Sequence, residues 1–275
     1  MSYSLVAGTI ELMMRTIVNG DDFGISHEVN LAIAEAFRRG ILTGTTLMVN
    51  MPFAEEAAEL SKKEGFYGNV GLHLNLTAGE PLTKKIRELK RFCSSEGKFN
   101  AVFQKSTATR LKIRPEESEA VKEEAEAQIR RYLSFGFPAR HLDSHHHVHT
   151  DLSVWNELEG LLKKYDFRSV RLSRNLFRRT NIFNALYKKR FNRRLKKTGM
   201  FLTDYFGSFK DLSVMGRRVS DNALVEVMLH PMYSGEGALM DTKTPMEEVE
   251  ALFKKLRAQR TFYQLKETPR YGGML

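Results

Sequence analysis

The stretch "RTIVNGDD" at residues 15–22, followed by "SHEVNLAIAEAFRRG" at 26–40, sets the architecture of this chain. The first run is short, partly β-branched and closes on two carboxylates, the pattern of a buried strand ending at a surface. The second spaces Val29, Ile33, Ala36 and Phe37 at helical intervals, with Ser26 as its N-cap and Gly40 just past its end. The unit recurs. "ILTGTTLMVN" (41–50) precedes "PFAEEAAELSKKEG" (52–65), and "NVGLHLNLT" (69–77) precedes a long connection. "EESEAVKEEAEAQIRRYLSFG" (116–136) leads into "RHLDSHHHVHT" (140–150), and "DLSVWNELEGLLKKYD" (151–166) into "SVRLS" (169–173). "LVEVMLHP" (224–231) is followed by helical "TPMEEVEALFKKLRAQ" (244–259). Alternating strands and helices imply parallel strands with right-handed crossovers, in either a (β/α) barrel or an open doubly wound sheet. Both architectures gather their sites at the carboxyl ends of the strands.

The chain has 275 residues, 42% of them hydrophobic, which fits one large domain over 1–275. Cys93 is the lone cysteine, so no intramolecular disulfide forms. No apolar run reaches the ~20 residues that span a bilayer. The opening "MSYSLVAGTIELMM" has no basic region and carries Glu11 within its apolar stretch, unlike a secretory signal. These features predict a cytoplasmic protein.

The polar chemistry lies at the strand ends. Asp21 and Asp22 close the first strand, His73 sits in "GLHLNLT", Arg171 in "SVRLS" and His230 in "EVMLHP". Five of the eight histidines, His141, His145, His146, His147 and His149, fall within residues 140–150, together with Asp143. Read as one extended strand, this segment puts His141, Asp143, His145, His147 and His149 on one face. A row of imidazoles directed into a barrel is costly unless the rings hold a metal, a substrate or one another. Ordinary alternatives exist for each residue alone: a helix cap for the aspartates, a buried hydrogen-bonded ring for His73 or His230, a salt bridge for Arg171. Carboxylates and histidines recurring at several strand ends favour a site.

Five fragments, "IVNGDDFGIS" (17–26), "GILTGTTLMVNMPFAEEA" (40–57), "VGLHLNLTAGEPL" (70–82), "HLDSHHHVH" (141–149) and "EVMLHP" (226–231), carry a resemblance. In this order they resemble the YdjC-like carbohydrate deacetylases, the family that includes chitooligosaccharide deacetylase and hopanoid-biosynthesis-associated proteins. The resemblance covers about residues 14 to 235, so Met14 is a plausible initiator and residues 1–13 a leader outside the domain. Gly20 departs from the family, which usually has alanine there, and the basic segment around 174–200 matches no family motif. The resemblance implies a distorted, TIM-barrel-like (β/α) barrel, here with a basic helical insertion over 174–206. It implies a divalent metal ion held by Asp22, His73 and His145, with magnesium the first expectation and zinc or another transition metal the alternative. It also implies an N-acetylated sugar or oligosaccharide as substrate.

Removing an acetyl group from nitrogen requires a strengthened water nucleophile, a stabilised oxyanion and a protonated leaving amine. A metal ion with two imidazoles and a carboxylate serves the first two needs. Asp21, next to a ligand but diverging from it, fits the general base, and His230 the general acid. Backbone N–H groups around Phe23 and Gly24 are expected to share the oxyanion. Asp143 is expected to fix an imidazole tautomer, Arg171 to orient Asp21 or bind a sugar hydroxyl, and His147 to stand near ligands or substrate.

The net charge of +10 is concentrated in one place. Residues 167–203 contain no Asp or Glu but twelve Lys or Arg, so the remainder is slightly acidic. Within this stretch Phe183, Tyr187, Phe191 and Leu195 recur every fourth residue, predicting an amphipathic helix over about 181–197. Such a helix packs on the barrel, or contacts an anionic membrane or acidic glycan. No specific nucleic-acid motif is present. Other readings of the chain are a metal-dependent hydrolase of phosphoesters or cyclic amides, and a non-enzymatic barrel scaffold that binds anionic surfaces or nucleic acid. A homo-oligomer is compatible with all of them.

Overall fold

The computed structural model describes residues 14–177, 180–220, 222–256 and 259–261. The leader expected over 1–13 lies outside the described residues. In chain order the elements begin with β1 (Arg15–Phe23), α1 (His27–Arg38), β2 (Gly44–Leu47), α2 (Ala54–Lys63) and β3 (Val70–Leu74). A long connection then carries α3 (Lys84–Arg87), α4 (Val102–Lys105) and α5 (Thr107–Leu111) to α6 (Pro115–Ser134). Next come β4 (His141–Ser144), α7 (Leu152–Lys164), β5 (Ser169–Val170), α8 (Ile182–Lys196), β6 (Tyr205–Ser208), α9 (Phe209–Met215) and β7 (Leu224–Leu229). The described chain ends with β8 (Pro231–Tyr233), β9 (Leu239–Asp241), β10 (Thr244–Pro245), α10 (Met246–Lys255) and β11 (Gln259–Arg260).

The first unit forms as its sequence dictates. Ser26 Oγ accepts the N–H of Val29, and α1 buries Ala32, Ile33 and Ala36. Gly40 follows the helix at φ +65°, a left-handed turn that favours glycine. β1 then pairs in parallel with β2 on one side and β7 on the other. The parallel order runs β5-β4-β3-β2-β1-β7-β6, with β11 beside the first residues of β1.

The two ends of this order meet, closing a distorted (β/α) barrel. The join is irregular: Ser169 bridges Phe201 in parallel, and the N–H groups of Asn175 and Leu176 both donate to the Phe206 carbonyl, at 3.2 and 3.0 Å. A small antiparallel sheet, β10-β9-β8, follows directly on β7. The long connection after β3 is anchored by α6. Buried Glu124 accepts the N–H groups of Leu82 and Thr83, and Gln128 exchanges two hydrogen bonds with the backbone of Asn75. Among the described residues no helix is long and apolar enough to cross a membrane.

The expectation of one extended strand through residues 140–150 is corrected. β4 stops at Ser144, and residues 145–150 form a tight helical turn in which His146 and His147 take φ values of +52° and +58°. Ser144 Oγ holds the turn shut by accepting the His149 N–H at 2.9 Å and meeting His149 Nδ1 at 2.5 Å. The histidines are therefore divided between two levels: His141 and His149 are buried in the barrel wall, and His145 and His146 stand at the rim.

Candidate metal and catalytic centre

Adjacent aspartates at the end of β1 diverge, because Asp22 adopts φ +68° while Asp21 keeps the strand direction. Asp22 Oδ1 thereby lies 2.7 Å from His145 Nδ1 and 3.2 Å from His73 Nε2. One donor atom from each residue falls within a 4.8 Å cluster. Ligands bound at ~2.0–2.2 Å in tetrahedral or octahedral arrangement stand ~3 Å apart, so these spacings suit a single small ion.

The surroundings favour a cation there. His73 Nδ1 donates to Asp143 Oδ1 at 2.6 Å, which turns its Nε2 toward Asp22. Burial alone would depress the pKa of His73, but the charge and hydrogen bond of Asp143, with the hydrogen bond of Asp22, outweigh it and raise the value to about 10. Asp22 is held well below the ordinary carboxylate range, its burial overcome by hydrogen bonds from His145 and His73. A field that retains a proton on a buried imidazole also favours a metal ion in its place. Two imidazoles and a carboxylate are a chemically coherent donor set for a divalent ion.

Beneath this trio lies a fully buried guanidinium. Arg171 holds Asp21 with two prongs, Nη1 to Oδ2 at 2.7 Å and Nη2 to Oδ1 at 2.8 Å. It also meets Asp143 at 2.7 Å and Glu226 at 2.5 Å, and its carbon stands 4.7 Å from the Phe206 ring centre. Burial opposes its charge, but Asp143, Asp21 and Glu226 raise its pKa well above the ordinary arginine value. Glu226 is itself pushed up to about 7, mainly by burial. Two further carboxylate–histidine groupings, Asp21 with His73 and Asp143, and His141 with Asp143 and Glu226, are served by this guanidinium. Asn19 Nδ2 completes the hold on Asp21 at 2.9 Å, and Thr46 Oγ1 donates to Asp143 at 3.0 Å.

The remaining expected residues fall as follows. Asp143 orients His73, an imidazole on the neighbouring strand. Arg171 orients Asp21; fully buried, it is out of reach of a sugar hydroxyl. His230 follows β7, whose Leu229 pairs with Gly20, so it stands level with Asp21 at the strand ends. Its backbone N–H donates to Asp241 Oδ1 at 2.8 Å. Partial burial of its ring at the rim, ahead of the charge of His145, brings His146 to about 4, and full burial brings His149 to about 4 as well. His147 packs its ring edge against Phe206 at 5.5 Å, and burial keeps its pKa well below the ordinary value.

The expected oxyanion donor Gly24 is corrected. Its N–H donates to Asn30 Oδ1 at 2.8 Å, so it is already engaged. Glu226, Asn19 and Thr46 were not singled out by sequence. Strand parity gives a signal for two of them: Asn19 lies two residues before Asp21, and Glu226 four before His230.

Comparison with known proteins adds three findings. The family model described as YdjC-like protein matches residues 15–262. A carbohydrate deacetylase of Clostridium beijerinckii is 32% identical over 250 residues, 87% of this chain and 90% of its own. One from Geobacillus stearothermophilus is 35% identical over 222 residues, 79% of each chain. Among solved structures, a protein of Enterococcus faecalis provisionally described as a cellobiose-phosphate cleavage protein superposes with a TM-score of 0.68. The alignment covers 93% of this chain and all 100% of that one at 20% identity, a likeness of fold.

Proposed function

This chain belongs to the YdjC-like protein family, and on that premise we propose that it is a carbohydrate deacetylase, hydrolysing the N-acetyl group of a sugar or oligosaccharide with a divalent metal ion. The observation that carries the reading is the convergence of Asp22, His73 and His145 above an Asp21 clamped by Arg171. Asp22, His73 and His145 would hold the ion. When bound, it supplies Lewis acidity that polarises the acetyl carbonyl and makes water a better nucleophile. Two nitrogen donors suit zinc or another transition ion better than magnesium, which prefers oxygen.

Asp21 takes the proton of the attacking water, and the Arg171 clamp fixes the direction from which it does so. His230 delivers a proton to the nitrogen as the C–N bond breaks, so the products are acetate and a free amine. Asp143 keeps the His73 tautomer fixed. His147 and Phe206 form a wall close to the site. The carbohydrate specificity comes from the relatives, whose names specify carbohydrate but no particular sugar.

The test is acetate release from a panel of N-acetylated oligosaccharides, with phosphate release from sugar phosphates measured alongside. His145→Ala should lower metal affinity at least ~100-fold. Asp21→Asn should retain the ion and lose ~100- to 10,000-fold in kcat. Undiminished acetate release by His145→Ala in the presence of chelator would refute the metal assignment, and phosphate as the sole product would refute the reaction.

A further inference from the structure

The amphipathic helix expected over 181–197 forms, but its apolar stripe is divided. Phe191 and Leu195 are buried, Phe191 with its ring edge-on to Trp155 at 5.7 Å. At the other end of α8, Ile182, Phe183 and Leu186 are 69%, 81% and 53% exposed. Ile182, Leu186, Lys189 and Arg193 follow one another at spacings of four, three and four residues, so they form one outward stripe. Arg190 and Lys197 flank it. None of Lys189, Arg190, Arg193 and Lys197 is ion-paired to a carboxylate among the described residues. The stripe is thus an apolar tip followed by a cationic band, about 20 Å long at 1.5 Å per residue. Leu111 of α5, 46% exposed, adds to the tip across a cleft of about 390 Å³ that Phe183 also lines.

Position links this face to the candidate site. Tyr187 Oη donates to the carbonyl of Thr150, at the end of the histidine turn, at 2.7 Å. The middle of α8 is thereby tied to the end of the turn that begins at His145.

We propose that the outward face of α8, with Leu111, docks this protein onto an anionic lipid surface and turns the rim of the barrel toward the headgroups. Exposed aliphatic and aromatic side chains beside unpaired cations, on a helix whose opposite face is already buried, are what an interfacial helix needs. Nucleic acid would use the cations but not Ile182, Phe183 and Leu186. A second copy in two-fold contact would cover Ile182, Phe183 and Leu186 but would bring no counter-charge to the unpaired cations. The proposal rests on α8 and stands whether or not the deacetylase reading does.

The experiment is sedimentation of the full chain with phosphatidylcholine vesicles containing about one-third phosphatidylserine, against pure phosphatidylcholine, over a salt series. The parent should bind the anionic vesicles and release steeply as salt rises. Combined Lys189→Gln, Arg190→Gln, Arg193→Gln and Lys197→Gln should lower the partition coefficient about 100-fold or more. Combined Ile182→Ser, Phe183→Ser and Leu186→Ser should lower it about tenfold or more while leaving the salt dependence. Unchanged circular dichroism and an unchanged urea midpoint establish that both variants are folded. Failure of the parent to bind anionic vesicles at low salt, equal binding to neutral vesicles, or binding by the variants equal to the parent overturns the proposal. So does retention of a DNA duplex, or a self-association abolished by the charge variant, in a protein that ignores vesicles.

Discussion

Replacing Arg171 with methionine should be the most damaging single change to the barrel interior, and its cost should depend on pH in a definite direction. The side chain is wholly buried and touches Asp21, Asp143 and Glu226 at 2.5–2.8 Å. Removing one partner of a buried ion pair costs about 3–5 kcal/mol, because a charge is left without compensation. Here three carboxyl groups lose their common partner, though His73 still serves Asp143 and Asn19 still serves Asp21. In the parent, Asp143 is depressed below the ordinary carboxylate range, despite its burial, by Arg171 and His73. Its contribution is present above the unfolded pKa and fades only in acid. In Arg171→Met the carboxyl pKa values rise above those of the unfolded chain, so stability falls as pH increases. The deficit should therefore widen with pH, to about 3–5 kcal/mol near pH 8 and about 2 kcal/mol near pH 5.5. Urea unfolding of both proteins in chelator, with equal slopes, reads the difference. Adding Glu226→Met should recover about 1–3 kcal/mol. Arg171→Lys should keep much of the stability but lose turnover, since an ammonium cannot grip Asp21 with two prongs. A cost below about 1 kcal/mol at pH 8, or one that shrinks as pH rises, would refute the reasoning.

Two further outcomes test the fold around the site. A Cβ at Gly207 would stand 2.9 Å from the Leu176 carbonyl oxygen, on the join that closes the barrel, so Gly207→Ala should destabilise by about 1–3 kcal/mol; an unchanged urea midpoint would show that the join yields freely. Asp151 is raised to about 7 by burial, which its ion pair with the 43% exposed Arg110 only partly offsets. The folded chain thus holds a proton that the unfolded chain has lost, and stability should fall as pH rises from about 4 to about 7, a slope that Asp151→Asn flattens. A thermal-unfolding series with parallel pH profiles for the two proteins would contradict this.

What the sequence disclosed depended on how local the cause was. β1 and α1 were legible because their hydrophobic spacing, Ser26 and Gly40 all point the same way over a short span. The barrel join was not: β5 has two residues, and the closing contacts come from irregular segments around Asn175 and Phe201. The histidine turn misled for a related reason. Alternation holds through His141 and Asp143, but Ser144 captures His149 and folds the chain back, an arrangement that simple parity does not anticipate. Glu226 was overlooked between apolar neighbours, although it shares the parity of His230. The amphipathic spacing of α8 was read correctly as spacing, yet it could not reveal that the stripe runs past the edge of the barrel and leaves Phe183 uncovered.

The two aspartates of "NGDD" show how one backbone angle divides identical chemistry. Had Asp22 continued the strand, its side chain would point away from the interior that Asp21 faces, as adjacent strand residues do. A left-handed conformation at Asp22 costs about 1–2 kcal/mol for an ordinary residue and less for an aspartate, which tolerates it. That turn lets His73 and His145 reach the second carboxylate while Arg171 keeps the first. The guanidinium also sets the charge balance. One guanidinium is shared by Asp21, Asp143 and Glu226, and Asp143 keeps enough hold on His73 to raise that imidazole despite its burial. The shared guanidinium thus secures the direction of Asp21, while Asp143 turns His73 toward the point where Asp22 and His145 converge.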